Sequence, residues 1–275
     1  MVQSFPVCAP NGIQTRRFMM KKYIAGIFCF LLLLFSVQAP AQDTVMQVST
    51  IDALVAGVYD GTMPCSELLQ YGDFGIGTFD RLEGEMVVLD GTVYQVKADG
   101  KVYTPDGTMT TPFASVCRFG ADHTFDVQKS MDFKALEEAI DAALPNKNLF
   151  YAIQITGTFA YVKTRSVPAQ DKPYPPLAEI TRHQSVFEKN NVSGTIVGFR
   201  CPAYVKGINV PGYHLHFISD DRTWGGHILA LETGTGACAI DRCNEFFMVL
   251  PTEGDAFQKV DLSKDRSKEL HQIEK

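Results

Sequence analysis

The chain has no block of like charge long enough to act as an interaction tail and no basic stripe. Lys and Arg number 25 against 31 Asp and Glu, for a formal charge of −6. Proteins that hold nucleic acid neutralise phosphates with a cationic surface, so this balance argues against such a partner. There is no repeat at solenoid period and no low-complexity tract. The apolar run over 24–35 is short of the ~20 residues of a comfortable membrane helix. Cysteines fall singly, without the paired short spacings of a zinc–thiolate site.

Apolar residues make up 45% of the chain, enough for a substantial core in one large domain or two modest ones. Lys21 and Lys22, the run over 24–35 and Ala39-Pro40-Ala41 follow the charge, apolar, small-residue order of a secretory signal. A signal peptide over 1–41 is therefore expected, giving a periplasmic or secreted protein with no stable membrane insertion after cleavage. An uncleaved anchor is the alternative. Residues 1–18 fit a signal poorly, so translation is expected to begin at Met19 or Met20; a loose twin-arginine signal around Arg16-Arg17 is the other option. Beyond the signal remain Cys65, Cys117, Cys201, Cys238 and Cys243. An odd number leaves at least one thiol unpaired or bridging chains, and Cys238 and Cys243 are close enough for a small disulfide loop.

Helical patterns cover 51–58, 66–69 and 131–143, the last stopped by Pro145. Strand patterns cover 85–89, 92–97, 101–103, 115–119, 149–159, 161–164, 194–200, 213–219, 227–232 and 246–250. Asp90-Gly91 and Asp99-Gly100 suit tight hairpin turns. A proline-rich connection spans 167–177, and a charged helix from 263 closes the chain. The fold class is α/β (mixed α+β), with mixed and antiparallel strands. Two sheet-containing halves are expected, an N-terminal one over 42–160 and a metal-binding one over 161–275 with a closing tail.

His214 and His216 alternate with Leu215 and Phe217, and strand side chains alternate faces, so both imidazoles share one face. A turn follows, and His227 re-enters an apolar run where a hairpin sets it beside them. Three histidines with an open position are a catalytic-zinc arrangement. Copper, iron and nickel also accept three imidazoles. The bland alternative is a solvated strand face with His227 at a loop edge. His123, His183 and His271 have no such company and are expected at the surface.

The strings over 72–80 (GDFGIGTFD), 82–86 (LEGEM), 111–114 (TPFA), 165–168 (RSVP), 172–177 (KPYPPL) and 206–217 (KGINVPGYHLHF) resemble the α-acetolactate decarboxylase family from about Cys65 to the end. The resemblance implies a zinc enzyme of two-part α/β fold, a homodimer, that turns 2-acetolactate into acetoin and carbon dioxide. It places the Zn2+ ligands on His214, His216 and His227, and active-site residues on Arg165, Thr78 and Glu85. A further glutamate near the C-terminus matches Glu274, with Glu269 as the alternative register. Members of the family are usually cytoplasmic, so the export signal departs from it in address.

That chemistry suits these residues. Losing carbon dioxide from a β-keto acid leaves an enediolate, whose charge a Lewis-acidic ion can stabilise without an organic electron sink; no pyridoxal or thiamine signature is present. Arg165 can orient the departing carboxylate through paired hydrogen bonds. Thr78 can bond a substrate oxygen. Of Glu85 and Glu274, one can serve the metal and the other deliver the proton. The alternatives are an exported metal-binding or sensory module without chemistry, and a decarboxylase of a related acid such as 2-aceto-2-hydroxybutyrate.

Overall fold

Period-two alternation dominates the chain, and strands supply most of its framework. The computed structural model describes residues 43–252 and 254–274, with isolated residues 1 and 3. The signal segment and the starts at Met19 and Met20 lie outside the described residues. In chain order the strands are β1 (Thr44–Val48), β2 (Met63–Pro64), β3 (Phe74–Thr78), β4 (Glu85–Leu89), β5 (Thr92–Val96), β6 (Val102–Tyr103), β7 (Thr110–Thr111), β8 (Ala114–Cys117), β9 (His123–Val127), β10 (Phe150–Ser166), β11 (Ser185–Cys201), β12 (Gly212–Ser219), β13 (Gly225–Cys243) and β14 (Glu245–Val249). The helices are α1 (Ile51–Val55), α2 (Cys65–Tyr71), α3 (Phe133–Ala143), α4 (Leu177–Ile180), α5 (Asp255–Lys259) and α6 (Ser267–Ile273).

One sheet has seven strands in the order β14-β1-β8-β3-β4-β5-β6, with β14 parallel to β1 and the other pairs antiparallel. In the second, β10, β11, β12 and β13 pair antiparallel in succession and β10 pairs back onto β13, closing a ring that β9 extends. This is the mixed α+β class. Phe74, Ile76, Val87 and Leu89 of the first sheet pack on Val197, Phe199 and Ile218 of the second, so the main core lies between them. Helix α3 starts at Asp132, whose side chain accepts from Ala135 N–H at 2.8 Å, and buries Leu136 and Ile140 against the second sheet. Each such side chain contributes about 1.5–3 kcal/mol on burial.

Residue 160, where the sequence suggested a division into halves, falls inside β10. Register shifts at 157–161 interrupt the alternation there, so one bulged strand reads as two. Nor do the sheets follow the two halves of the chain: β14 returns to the first, and β9 belongs to the second. The charged C-terminal helix begins at Ser267, later than 263. A Cys238–Cys243 loop is also absent. Both lie on β13, where a rise of ~3.3 Å per residue puts them roughly 17 Å apart, against the ~4.4–6.8 Å between Cα atoms that a disulfide spans. Cys238 packs with Ile155 and Ile240, Cys243 with Phe150 and Phe199. All five described cysteines are free and buried.

Candidate active site

Strand β12 turns His214 and His216 to one side and Leu215 and Phe217 into the core on the other. Across the hairpin, His216 is the direct partner of His227. His227 in turn faces Arg165 on β10, so one row across three strands carries Arg165, His227 and His216. Gly226 permits this closeness. Its φ is +130°, and a Cβ there would sit 2.4 Å from the Arg165 carbonyl oxygen. The β3–β4 hairpin sets Thr78 directly opposite Glu85. The tail closes the site: α6 buries Leu270 and Ile273 against Ile51, Leu54 and Leu177, and so delivers Glu274. Glu269, within α6, is exposed to solvent.

The three imidazole rings have centroids 5.1–5.4 Å apart, and one ring nitrogen from each falls within 4.8 Å of the others. His216 Nδ1 is bonded to the Met86 carbonyl at 2.8 Å, which fixes the proton on Nδ1 and leaves Nε2 with its lone pair. Burial, aided by Arg165, lowers His214 to about 3; burial likewise drives His216 and His227 well below the ordinary histidine range. All three are therefore neutral, the form that ligates metal. His216 Nε2 and His227 Nδ1 are buried without a partner, a costly state for polar atoms.

Acids surround the histidines. Glu85 Oε2 is 3.6 Å from His216 Nε2; Glu274 Oε2 is 3.7 Å from His227 Nε2 and 3.9 Å from His214 Nε2. Burial raises both glutamates to about 7, against the opposing pull of Arg165. Arg165 is itself buried, with Nη2 3.7 Å from Glu274, and Nη1 donating to the Gln184 side chain at 3.2 Å and to the Ile273 carbonyl. Its Nε is buried and unpaired. Thr78 Oγ1 donates to the Gly84 carbonyl at 2.7 Å, so what it keeps for a ligand is acceptor capacity. Thr78, Glu85, Arg165, His214, His227 and Glu274 all line one pocket, with Leu54, Phe113 and Leu177 as apolar walls.

The structure thus brings together every residue singled out from the sequence, and it chooses Glu274 over Glu269. His123, His183 and His271 are exposed, as expected. Neutral imidazoles with unpaired buried nitrogens beside two carboxylates form a donor set that could hold a divalent cation. Sequence reasoning missed Gln184 and the Met86 carbonyl. The first follows a proline-rich connection with no pattern, and a backbone acceptor leaves no mark in residue identity.

The α-acetolactate decarboxylase family matches residues 45–264, stopping short of Glu274. An alpha-acetolactate decarboxylase of Methanosarcina mazei is 55% identical over 235 residues, covering 86% of this chain and 81% of that one. One from Methylococcus capsulatus is 45% identical over 232 residues, covering 84% and 88%. The crystal structure of alpha-acetolactate decarboxylase from Bacillus subtilis strain 168 superposes with a TM-score of 0.82 at 40% identity, covering 84% of this chain and 99% of that one. With most of its length matched, the chain belongs to the alpha-acetolactate decarboxylase family and is a carboxy-lyase.

Proposed function

We propose that the protein converts 2-acetolactate to acetoin and carbon dioxide with a zinc ion held by His214, His216 and His227. The observation that carries this is the convergence of three neutral, buried imidazoles with Glu85, Glu274 and Arg165 on one pocket. Zinc would supply Lewis-acid stabilisation of the ketone oxygen on which charge develops, an effect worth several kcal/mol.

The chain's own residues do the rest. Arg165, anchored by Gln184 and Ile273, directs its free Nε toward the substrate carboxylate and sets the breaking bond perpendicular to the carbonyl plane. A clamp that only tightened ground-state binding would not speed the reaction, so orientation is its contribution. Thr78 Oγ1 accepts from the substrate hydroxyl. As the carboxylate leaves as carbon dioxide, its bonding pair moves toward the ketone oxygen, and the carbon it left takes a proton. Glu274 carries that proton, and Glu85 steadies His216 from the opposite side. Leu54, Phe113 and Leu177 limit water near the reacting carbons.

The test is acetoin formation from racemic acetolactate, with and without a chelator. Chelator-sensitive acetoin restored by zinc is expected; no acetoin from fully zinc-loaded protein would defeat the proposal.

A further inference from the structure

A second cluster lies apart from the histidines, where the two sheets meet. Cys117 ends β8, and Cys243 ends β13 just before the chain crosses into β14. Their sulfurs and a carboxylate oxygen of Asp241 all fall within 4.8 Å of one another. Both cysteines are fully buried. Asp241 accepts from Gly120 N–H at 3.0 Å.

We propose that Cys117 and Cys243 are joined by a disulfide when the protein matures under oxidising conditions, pinning the seven-stranded sheet to the end of the ring strand β13. The sulfurs already lie within 4.8 Å of each other, and closing the bond to ~2.05 Å draws them together inside the core. Competing partners are poorly placed. Cys65 and Cys238 sit in other core clusters, and Cys201 shares the cluster but not the close group. The step balances as thiol–disulfide exchange. One protein thiolate attacks a small-molecule or protein disulfide, and the second displaces the mixed disulfide; the protein loses two protons and two electrons, and the oxidant leaves as two thiols. The neighbouring Cys243 thiol and burial hold Cys117 well above the ordinary thiol range, so little thiolate exists in the closed core. The bond therefore forms during folding, before the sheets close. The export expected from residues 1–41 would provide such conditions.

The experiment takes the full chain, matured once in an oxidising and once in a reducing compartment. Each sample is denatured in chelator without reductant, alkylated, and read by intact mass and peptide mapping. Among the five cysteines beyond residue 41, the oxidised sample is expected to label at Cys65, Cys201 and Cys238, with a mapped Cys117–Cys243 bridge, while the reduced sample labels at all five; Cys8 and Cys29 are scored separately wherever the leader is retained. The bridge closes a loop of well over a hundred residues, so reductant is expected to lower Tm by about 5–10 °C, an effect lost in C117S/C243S. Labelling of both Cys117 and Cys243 in the oxidised sample would overturn the proposal. So would a bridge mapped to Cys201, or a bound metal ion displaced by C117S with all thiols intact.

Discussion

Arg165 Nη2 and Glu274 Oε1 stand 3.7 Å apart, with the arginine also donating to the carbonyl of Ile273, so the residue expected to hold the substrate carboxylate is tied to the closing tail. The side chain is buried and is not one of the three histidines that could hold the metal, although it shares the Glu274 carboxylate with His214 and His227. Arg165→Ala should therefore lower kcat by about a hundredfold or more through lost orientation, while zinc content stays at the wild-type level. Arg165→Lys should rescue little, because an ammonium lacks the planar fork. Parallel metal analysis and steady-state kinetics decide the matter, and an equal fall in both would make Arg165 a structural residue.

The same tail supplies the second prediction. Glu274→Gln keeps the volume and an acceptor oxygen but cannot give a carboxyl proton. Zinc content should persist while single-turnover acetoin formation slows by about 10²–10⁴-fold, the usual worth of a positioned acid. A chain truncated before Leu270 should be worse, since Arg165 then also loses its Ile273 acceptor. Wild-type rates from the truncated chain would remove the tail from the mechanism.

How far the site could be read from sequence follows from the range of each signal. The His214–His216 pair is local, because alternation on one strand places both, and His227 needed only a short turn. Thr78 and Glu85 are hairpin neighbours, yet nothing in their spacing alone shows that they are exact cross-strand partners. Arg165 reaches the histidines through β10–β13 pairing over a long separation, which only the family strings could suggest. The Glu274–Glu269 ambiguity lay in the register of a short helix, resolved by Leu270 and Ile273 turning inward. In the fold, the bulges of β10 concealed one long strand, and the return of β14 to β1 left no local trace.

Gly226 offers a test of the frame that carries His227. An alanine there would combine a φ of +130° with a Cβ 2.4 Å from the Arg165 carbonyl oxygen, so β10 and β13 must separate. Gly226→Ala should cost at least about 1–3 kcal/mol in strain, read as a lower urea midpoint, and zinc content should fall with it. Gly91 is the control: its φ is +71° and no atom lies within 4 Å of the added Cβ, so Gly91→Ala should leave zinc unaffected. Full zinc loading in a Gly226→Ala protein would show that the hairpin tolerates the displacement.

Asp241 gives a pH prediction independent of the active site. Burial, opposed by the Gly120 N–H and reinforced by Asp122, Asp43 and Asp73, raises its carboxyl to about 6, above the ~3.9 of an unperturbed Asp. A raised folded-state value means that the native protein holds this proton more tightly than the unfolded chain. The associated stability is complete below the unfolded value and is lost as pH rises through the folded one, from about 4 to above 6. Asp241→Asn retains an acceptor for Gly120 and cannot ionise. In reduced protein, its Tm should match wild type near pH 4 and exceed it near pH 8, with the gap narrowing in high salt as the neighbouring aspartates are screened. A Tm difference that stays constant across that range would mean that Asp241 ionises freely in the folded protein.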